Sequence, residues 1–287
     1  MIIRPAIDAG NETDRSSQMD EKIASSRDDA SAPDRQFVTA LARGLEILRC
    51  FRPDEESLTN HEMARRTGMP KPTISRLTHT LTRLGYLNFS PDQGRYSLGA
   101  GVLALGNTLL ANIDVRKLAR PAMQALAEHA QSSVAIGIRE RHGMVYVEAC
   151  RGSAAVTLRR DVGSRIPLAT SAMGKAYLCA MAQKERDCLM DQIRLGDQDN
   201  WPSIKADIEQ GYRDYQDVGF CISSGNWDAH ISGVGVPLID ANLAKTMAFN
   251  CGGPSFLLSR QVLMDDLGPR LVQLVRSVEL SMGRHVV

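Results

Sequence analysis

Leu58 to Leu98 reads LTNHEMARRTGMPKPTISRLTHTLTRLGYLNFSPDQGRYSL, and the fold of the N-terminal part follows from it. Thr59, with Glu62 three residues later, forms the T-x-x-E pattern in which side chains at a helix start satisfy its free N–H groups. Leu58, Met63 and Ala64 turn inward on that helix. Gly68 supplies the positive φ that ends it, and Met69 is expected as a buried turn residue. Pro70 and Pro72 precede or open the next helix, where a missing N–H costs nothing. Within it Ile74, Leu77, Leu81 and Leu84 recur at three- and four-residue spacing and define an apolar stripe. Thr73, Ser75, Arg76, Thr78, His79 and Arg83 fall on the opposite face. Tyr86 and Leu87 then start a strand, SPDQG turns it, and Arg95, Tyr96 and Leu98 return beside it. Two helices about a tight turn, followed by a hairpin, are the plan of a winged helix-turn-helix. Double-stranded operator DNA is therefore the expected partner.

The charge distribution agrees. Residues 57–98 hold six Lys/Arg against two Asp/Glu, in a chain of 287 residues with a formal net charge of +1. A basic module on a nearly neutral body suits a protein that touches DNA through one face. Lys71, Thr73, Ser75 and Arg76 are assigned to the groove-facing end of the second helix, where short polar groups and Arg read base edges. His79 and Arg83 are assigned to the phosphate backbone. Arg95, near the hairpin tip, either reaches phosphate or the minor groove or stays an exposed charge on an edge strand. The competing reading of all these basic residues is an ordinary solvated face.

Outward from this stretch, residues 1–36 are rich in Asp, Ser, Arg and Ala and read as a flexible tail. Val38, Leu41, Leu45 and Leu48 mark a first helix that packs on the helix-turn-helix, so the winged module spans 37–98. Residues 99–113, within GAGVLALGNTLLANI, carry more apolar surface than a small domain buries; they read as a linker helix and a dimer surface, or as a helix that simply closes the wing domain. Residues 114–287 form the second domain. It opens with a helix to His129, then the strands SVAIGIRE, MVYVEAC and AAVTLRRD, with a hairpin turn at Arg141–Gly143. VGSRIPLATS reads as a loop before the helix AMGKAYLCAM. Helices at Lys184–Gln192 and ending at Ile204–Gly211 follow, then strands around GYRDY, ISGVGVPLID and AKTMAFNCG. A terminal helix runs from Val262 to Met282, with Leu263, Leu267, Leu271, Leu274 and Val278 on one side. Strands with segregated helices give the fold class α+β, a sensor-like second domain behind a DNA-binding module.

Several function classes are weakened by absence of pattern. The N-terminus lacks a long apolar run followed by a small-residue cleavage site, and no stretch reaches the length of a membrane span. The six cysteines have no paired spacing, so they are expected as reduced, mostly buried groups in the cytoplasm. No metal site is expected from the histidines, no cofactor is implied, and no nucleophile-elbow, zincin or dinucleotide motif is present. Catalysis would rest on Cys221 activated by His230. The alternatives to a regulator are thus a metabolite-binding scaffold without specific DNA readout and, least favoured, a Cys221-based enzyme.

ALARGLEILRCF, TGMPKPTISRLTHTLTRLGYL, GRYSLGAGVLALG, PLATSAMGKAYL and the segment from VGVPLID to NCGGP occur in this order. In them the chain, from about Thr39 to Met282, resembles the isocitrate-lyase-regulator (IclR) family of bacterial transcription factors. The resemblance implies a winged helix-turn-helix, a linker helix and a GAF-like effector-binding domain, in a homodimer or a dimer of dimers. It also implies a small-molecule effector, with a pocket beside Pro167, Leu168, Ala172, Met173 and Gly174. This sequence departs from the family pattern in placing Tyr215 where an Asp is expected and Gly233 where a Cys or Ala is expected. Asn250 and Gly252 replace family serines. Independently of the family, the helix start at Ser171–Gly174 offers backbone N–H groups to a carboxylate. The glycines and the loop CISSGNWDAH are expected to make space, with Trp227 as an apolar wall, or else a lid residue or core filler, and Asp228 or His230 as a polar group. Lys175 reads as a solvated side chain. An aromatic or larger organic acid that governs a catabolic operon is the expected signal.

Overall fold

The structure is a computed structural model that describes residues 36–53, 55–153, 160–240 and 245–283. Its contacts divide the chain into two compact units that meet in sequence between Ile113 and Asp114.

The first unit contains α1 (Thr39–Arg49), α2 (Asn60–Thr67), α3 (Lys71–Arg83), the hairpin β1 (Leu87–Ser90) and β2 (Arg95–Leu98), and α4 (Ala100–Ala111). Thr59 caps α2 in a closed capping box: its hydroxyl accepts from Glu62 N at 3.2 Å, and Glu62 Oε2 accepts from Thr59 N at 2.7 Å. Gly68, at φ 66°, ends the helix in the left-handed conformation, and Pro70 and Pro72 start α3. Ile47, Leu58, Met63, Ile74, Leu81 and Leu87 form the core, with Met69 only half-buried against it. Leu58 bridges to Tyr96, tying the hairpin to the helices.

Two expectations change here. On α1 it is Gly44 and Ile47 that turn inward, while Val38 and Leu41 stay 62% and 63% exposed. Leu84 is exposed as well, because α3 ends one residue before it. No residue of α4 is buried.

The second unit is a six-stranded antiparallel sheet in the order β5-β4-β3-β8-β7-β6. Its strands are β3 (Ser133–Glu140), β4 (Gly143–Arg151), β5 (Arg165–Pro167), β6 (Cys221–Ser224), β7 (Ile231–Asp240) and β8 (Lys245–Pro254). One face carries α5 (Asp114–Ala130) and α10 (Gly268–Ser281), which is reached from α9 (Arg260–Val262) through a π-turn at Leu263–Leu267. The expected stripe from Leu263 to Val278 is buried throughout. The other face carries α6 (Ala172–Cys179), with α7 (Gln183–Gly196) and α8 (Trp201–Val218) beyond it. This is the α+β arrangement the sequence suggests.

Three local readings are corrected. GYRDY lies inside α8, which runs on to Gly219 at φ 83°. Cys221–Ser224 is a strand, and a three-residue strand interrupts the loop before α6. The tail 1–35 and most of the expected strand AAVTLRRD (154–159) lie outside the described residues. Among the described residues no helix is long and apolar enough to cross a membrane.

Candidate nucleic-acid interface and ligand pocket

The tight turn leaves one face of α3 uncovered. Ile74, Thr78 and Leu81 are buried, so the opposite side presents Ser75, Arg76, His79 and Arg83, all exposed. Lys71 is exposed and Thr73 half-buried in the first turn. Among the described residues no ion pair engages Lys71, Arg76 or Arg83, so these charges stay available to an anionic partner. Thr78 does not belong to this surface. It sits four residues after Ile74, on the buried stripe, and its hydroxyl donates to Ile74 O at 3.0 Å and to Asn60 Oδ1 at 3.3 Å.

Arg95 also differs from expectation. Its guanidinium donates to Ser57 Oγ at 2.9 Å and to Ser57 O at 2.7 Å, and reaches Glu62 Oε2 at 3.3 Å. It is a brace from the wing to the capping box of α2 rather than a free charge. Arg66 is similarly engaged by Glu55 and by Cys50 O at 2.7 Å. That arginine holds the Glu55 carboxyl below its ordinary range.

In the second unit the start of α6 is pressed between a loop and the sheet. A methyl group on Gly174 would stand 1.9 Å from Leu168 O, and one on Gly235 would stand 2.2 Å from Ala172 O. Both glycines are therefore demanded by close backbone approach. Ser171 caps α6, accepting from Gly174 N at 3.1 Å while its hydroxyl donates to Pro167 O at 2.5 Å.

Beside this helix start lies a cavity of about 20 Å³. Of the expected ligand residues Ala172, Trp227, Gly233, Asn250 and Gly252 line it. Tyr146, Ile166, Ser171, Ser223, Ile231 and Ser232 line it too, and of these the sequence reading had marked only Ser171, as a helix start. Tyr146 and Ser232 offer one weak signal, a hydroxyl on an otherwise apolar strand; Ile166 and Ile231 offer none.

Five expected residues are elsewhere. Leu168 and Met173 are core side chains, Met173 Sδ filling the space that Gly137 leaves. Gly174 serves the backbone contact, and Tyr215 packs on the core below α8. Asp228 accepts from His230 N at 2.8 Å within its own loop.

The polar equipment of the cavity is specific. Asn250 Nδ2 donates to Tyr146 Oη at 3.3 Å, while the buried Asn250 Oδ1 has no partner among the described residues. Burial raises the Tyr146 hydroxyl above its ordinary pKa, so it stays a neutral donor. The Arg160 guanidinium covers the Trp227 ring at 4.9 Å. The expected extra space is not standing volume: Gly233 faces Gly252 across the strands, and a methyl group there would meet Cys251 O at 2.8 Å. The missing side chain is taken up by backbone.

The Cys221–His230 pairing does not occur. Cys221 is buried at the start of β6, donating to Gly211 O at 3.2 Å and lying 3.7 Å from Cys179 Sγ. Its thiol is pushed well up, first by the Cys179 contact and then by burial. His230 is exposed in the loop beyond the far end of that strand. A protonated thiol without its base is no nucleophile. Lys175, read as solvated, is in fact buried and paired with Asp207.

Known proteins match both units. The IclR helix-turn-helix domain model matches residues 40–91, and the model of the bacterial transcriptional regulator IclR C-terminal region matches residues 107–279. The HTH-type transcriptional regulator TsaQ1/TsaQ2 of Comamonas testosteroni is 34% identical over 250 residues, covering 86% of this chain and 89% of that protein. An IclR family transcriptional regulator from Brucella abortus has a TM-score of 0.81 at 47% identity, covering 88% of this chain and 95% of that one. An IclR homolog from Microbacterium hydrocarbonoxydans, solved with 4-hydroxybenzoate, shares the fold with a TM-score of 0.64 at 20% identity, covering 85% and 99%.

Proposed function

The chain belongs to the IclR family of bacterial transcriptional regulators, and from that premise we propose that it is a metabolite-responsive regulator of a catabolic operon. DNA binding through the helix-turn-helix is the family's output. In this chain we assign the contacts to Lys71, Thr73, Ser75, Arg76, His79 and Arg83, with Arg95 as the brace that orients the wing. The unpaired basic face of α3 supports that assignment. A homodimer sets two such helices in successive major grooves of a near-palindrome. The apolar surfaces of α1 and α4 suit the contact between copies.

The signal is proposed to be an aromatic or other organic acid. The observation that carries this reading is the cavity at the start of α6, with a neutral Tyr146 hydroxyl, an orphan Asn250 Oδ1 and the Trp227 ring around it. A ligand with one acceptor and one donor satisfies both polar groups, and its ring lies against Trp227. A hydroxylated aromatic carboxylate has that chemistry, and the ligand of the Microbacterium hydrocarbonoxydans homolog is of that kind.

The cavity has room for about one water-sized sphere, so its wall must move to admit such a molecule. The ligand then shifts the protein between arrangements only by its difference in affinity for them. Thermal-shift and calorimetric titration with 4-hydroxybenzoate and related acids tests this. Binding that is lost in Asn250→Leu and Tyr146→Phe is expected. Binding confined to two- or three-carbon acids would overturn the aromatic reading.

A further inference from the structure

Lys175 is a long cationic side chain only 2% exposed, and the ligand contacts proposed for the cavity do not use it. Its stem runs over Gly211 of α8, where a methyl group would come within 2.9 Å of the lysine Cδ. One turn away on α8, Asp207 Oδ1 accepts from Lys175 Nζ at 2.7 Å. The same oxygen accepts from Asn226 Nδ2 at 2.9 Å. Asn226 Oδ1 in turn accepts the Ser224 N–H at 2.7 Å and lies 3.2 Å from the Ser223 hydroxyl, whose nearer acceptor is Thr170 O at 2.8 Å. Ser223 and Trp227, either side of this turn, both line the cavity.

A buried ion pair is costly to desolvate and often stabilises no better than an apolar replacement. Its place at the root of a hydrogen-bond chain that ends in the cavity wall therefore calls for a use. Asp207 Oδ2 is buried and has no partner among the described residues, where this carboxylate is held through Oδ1. Asn226 and Lys175 are its side-chain donors among the described residues. Burial raises the Asp207 carboxyl while the Lys175 ammonium opposes the shift, in keeping with a charge that depends on its few donors.

We propose that Lys175 and Asp207 are positioning residues for the effector pocket: the buried ammonium fixes Asp207, Asp207 fixes Asn226, and Asn226 holds Trp227 as the closed wall of the cavity. This rests on reading that cavity as the effector site. Trp227 must yield for any aromatic acid to enter, and the Asn226–Asp207 bond sets how readily it does. The same bond links ligand admission to α6 and α8, the helices that Lys175 and Asp207 join.

The test uses the full chain carrying Trp201→Phe, which leaves Trp227 as its single tryptophan. Asn226→Ala and Asn226→Asp are added singly; both leave the Lys175–Asp207 pair intact, and the second sets a like charge against Asp207. Acrylamide quenching of Trp227 is expected to report an exposed population raised about tenfold, the factor carried by one hydrogen bond to a charged group. The thermal midpoint should hardly move. Lys175→Met should expose Trp227 too, at the cost of a lower midpoint. With 4-hydroxybenzoate as the probe, affinity should tighten in Asn226→Ala because less is spent on opening. Unchanged Trp227 quenching in both folded Asn226 variants would overturn the proposal. If quenching rises but 4-hydroxybenzoate binds neither parent nor variants, the positioning role stands and the ligand reading for that acid fails.

Discussion

Arg76 and Gly174 show what a single residue contributes in each unit. Arg76 is exposed and makes no ion pair among the described residues, so Arg76→Ala should leave stability unchanged. Its effect should appear on operator DNA: a loss of about 1–3 kcal/mol at one base position if it reads that base, or a uniform loss with a shallower salt slope if it holds phosphate. Fluorescence anisotropy across salt concentrations and single-base operator variants separates these outcomes. Gly174 has no such freedom. Alanine there would stand 1.9 Å from a backbone oxygen, so Gly174→Ala should cost about 3 kcal/mol in thermal unfolding, through displaced backbone. The glycine was legible as part of a motif, but its physical reason was not. The partner atom, Leu168 O, is met only when the preceding loop folds back on the helix. Lys175 was misread for the same cause: its helix shows a lone cation, and Asp207 is 32 residues away.

Among the elements, α2 was legible nearly to the atom, because every group that caps it lies within four residues. Thr59→Ala should remove the cap at a cost of about 1 kcal/mol, seen as roughly fivefold faster amide exchange in α2. The turn before it carries a pH dependence. Arg66 holds Glu55 below the usual glutamate value of 4.5, so folding gains stability above that value and loses it as pH falls through the lowered one. Thermal melts between about pH 5 and 3 should show an acid-labile step that Glu55→Gln removes. Other elements were less legible. GYRDY reads as strand in the sequence, yet Gln210 Nε2 donates to Asp214 Oδ1 at 2.8 Å one turn on and α8 continues through it. The apolar stripe of α1 was visible, but not which way it faces. Rotation about the helix axis is set by the helix it packs on, and that turned Gly44 and Ile47 inward.

At the scale of the whole molecule, the exposed side chains of α1 and α4 bear on assembly. Leu103, Leu105 and Leu109 of α4 are all exposed, and a helix that exposes several large apolar side chains offers an interaction surface. Sedimentation of the full chain should show a dimer at micromolar concentration. Leu103→Glu with Leu109→Glu should dissociate it and weaken operator binding, while the melting of the effector-binding unit is kept. A double variant that stays dimeric would move the interface elsewhere.

The sequence by itself determined the helix-turn-helix, the hairpin, the apolar faces of the terminal helix and the family, because these reside in short-range spacing and in motif order. It also placed five of the cavity's lining residues. Tertiary structure alone decided that Lys175 is buried, that Arg95 is a brace, that Cys221 never meets His230, and that Gly233 admits backbone rather than volume. Each of these turns on a partner far away in sequence. Local spacing records the shape of an element; only the fold decides which atom stands opposite.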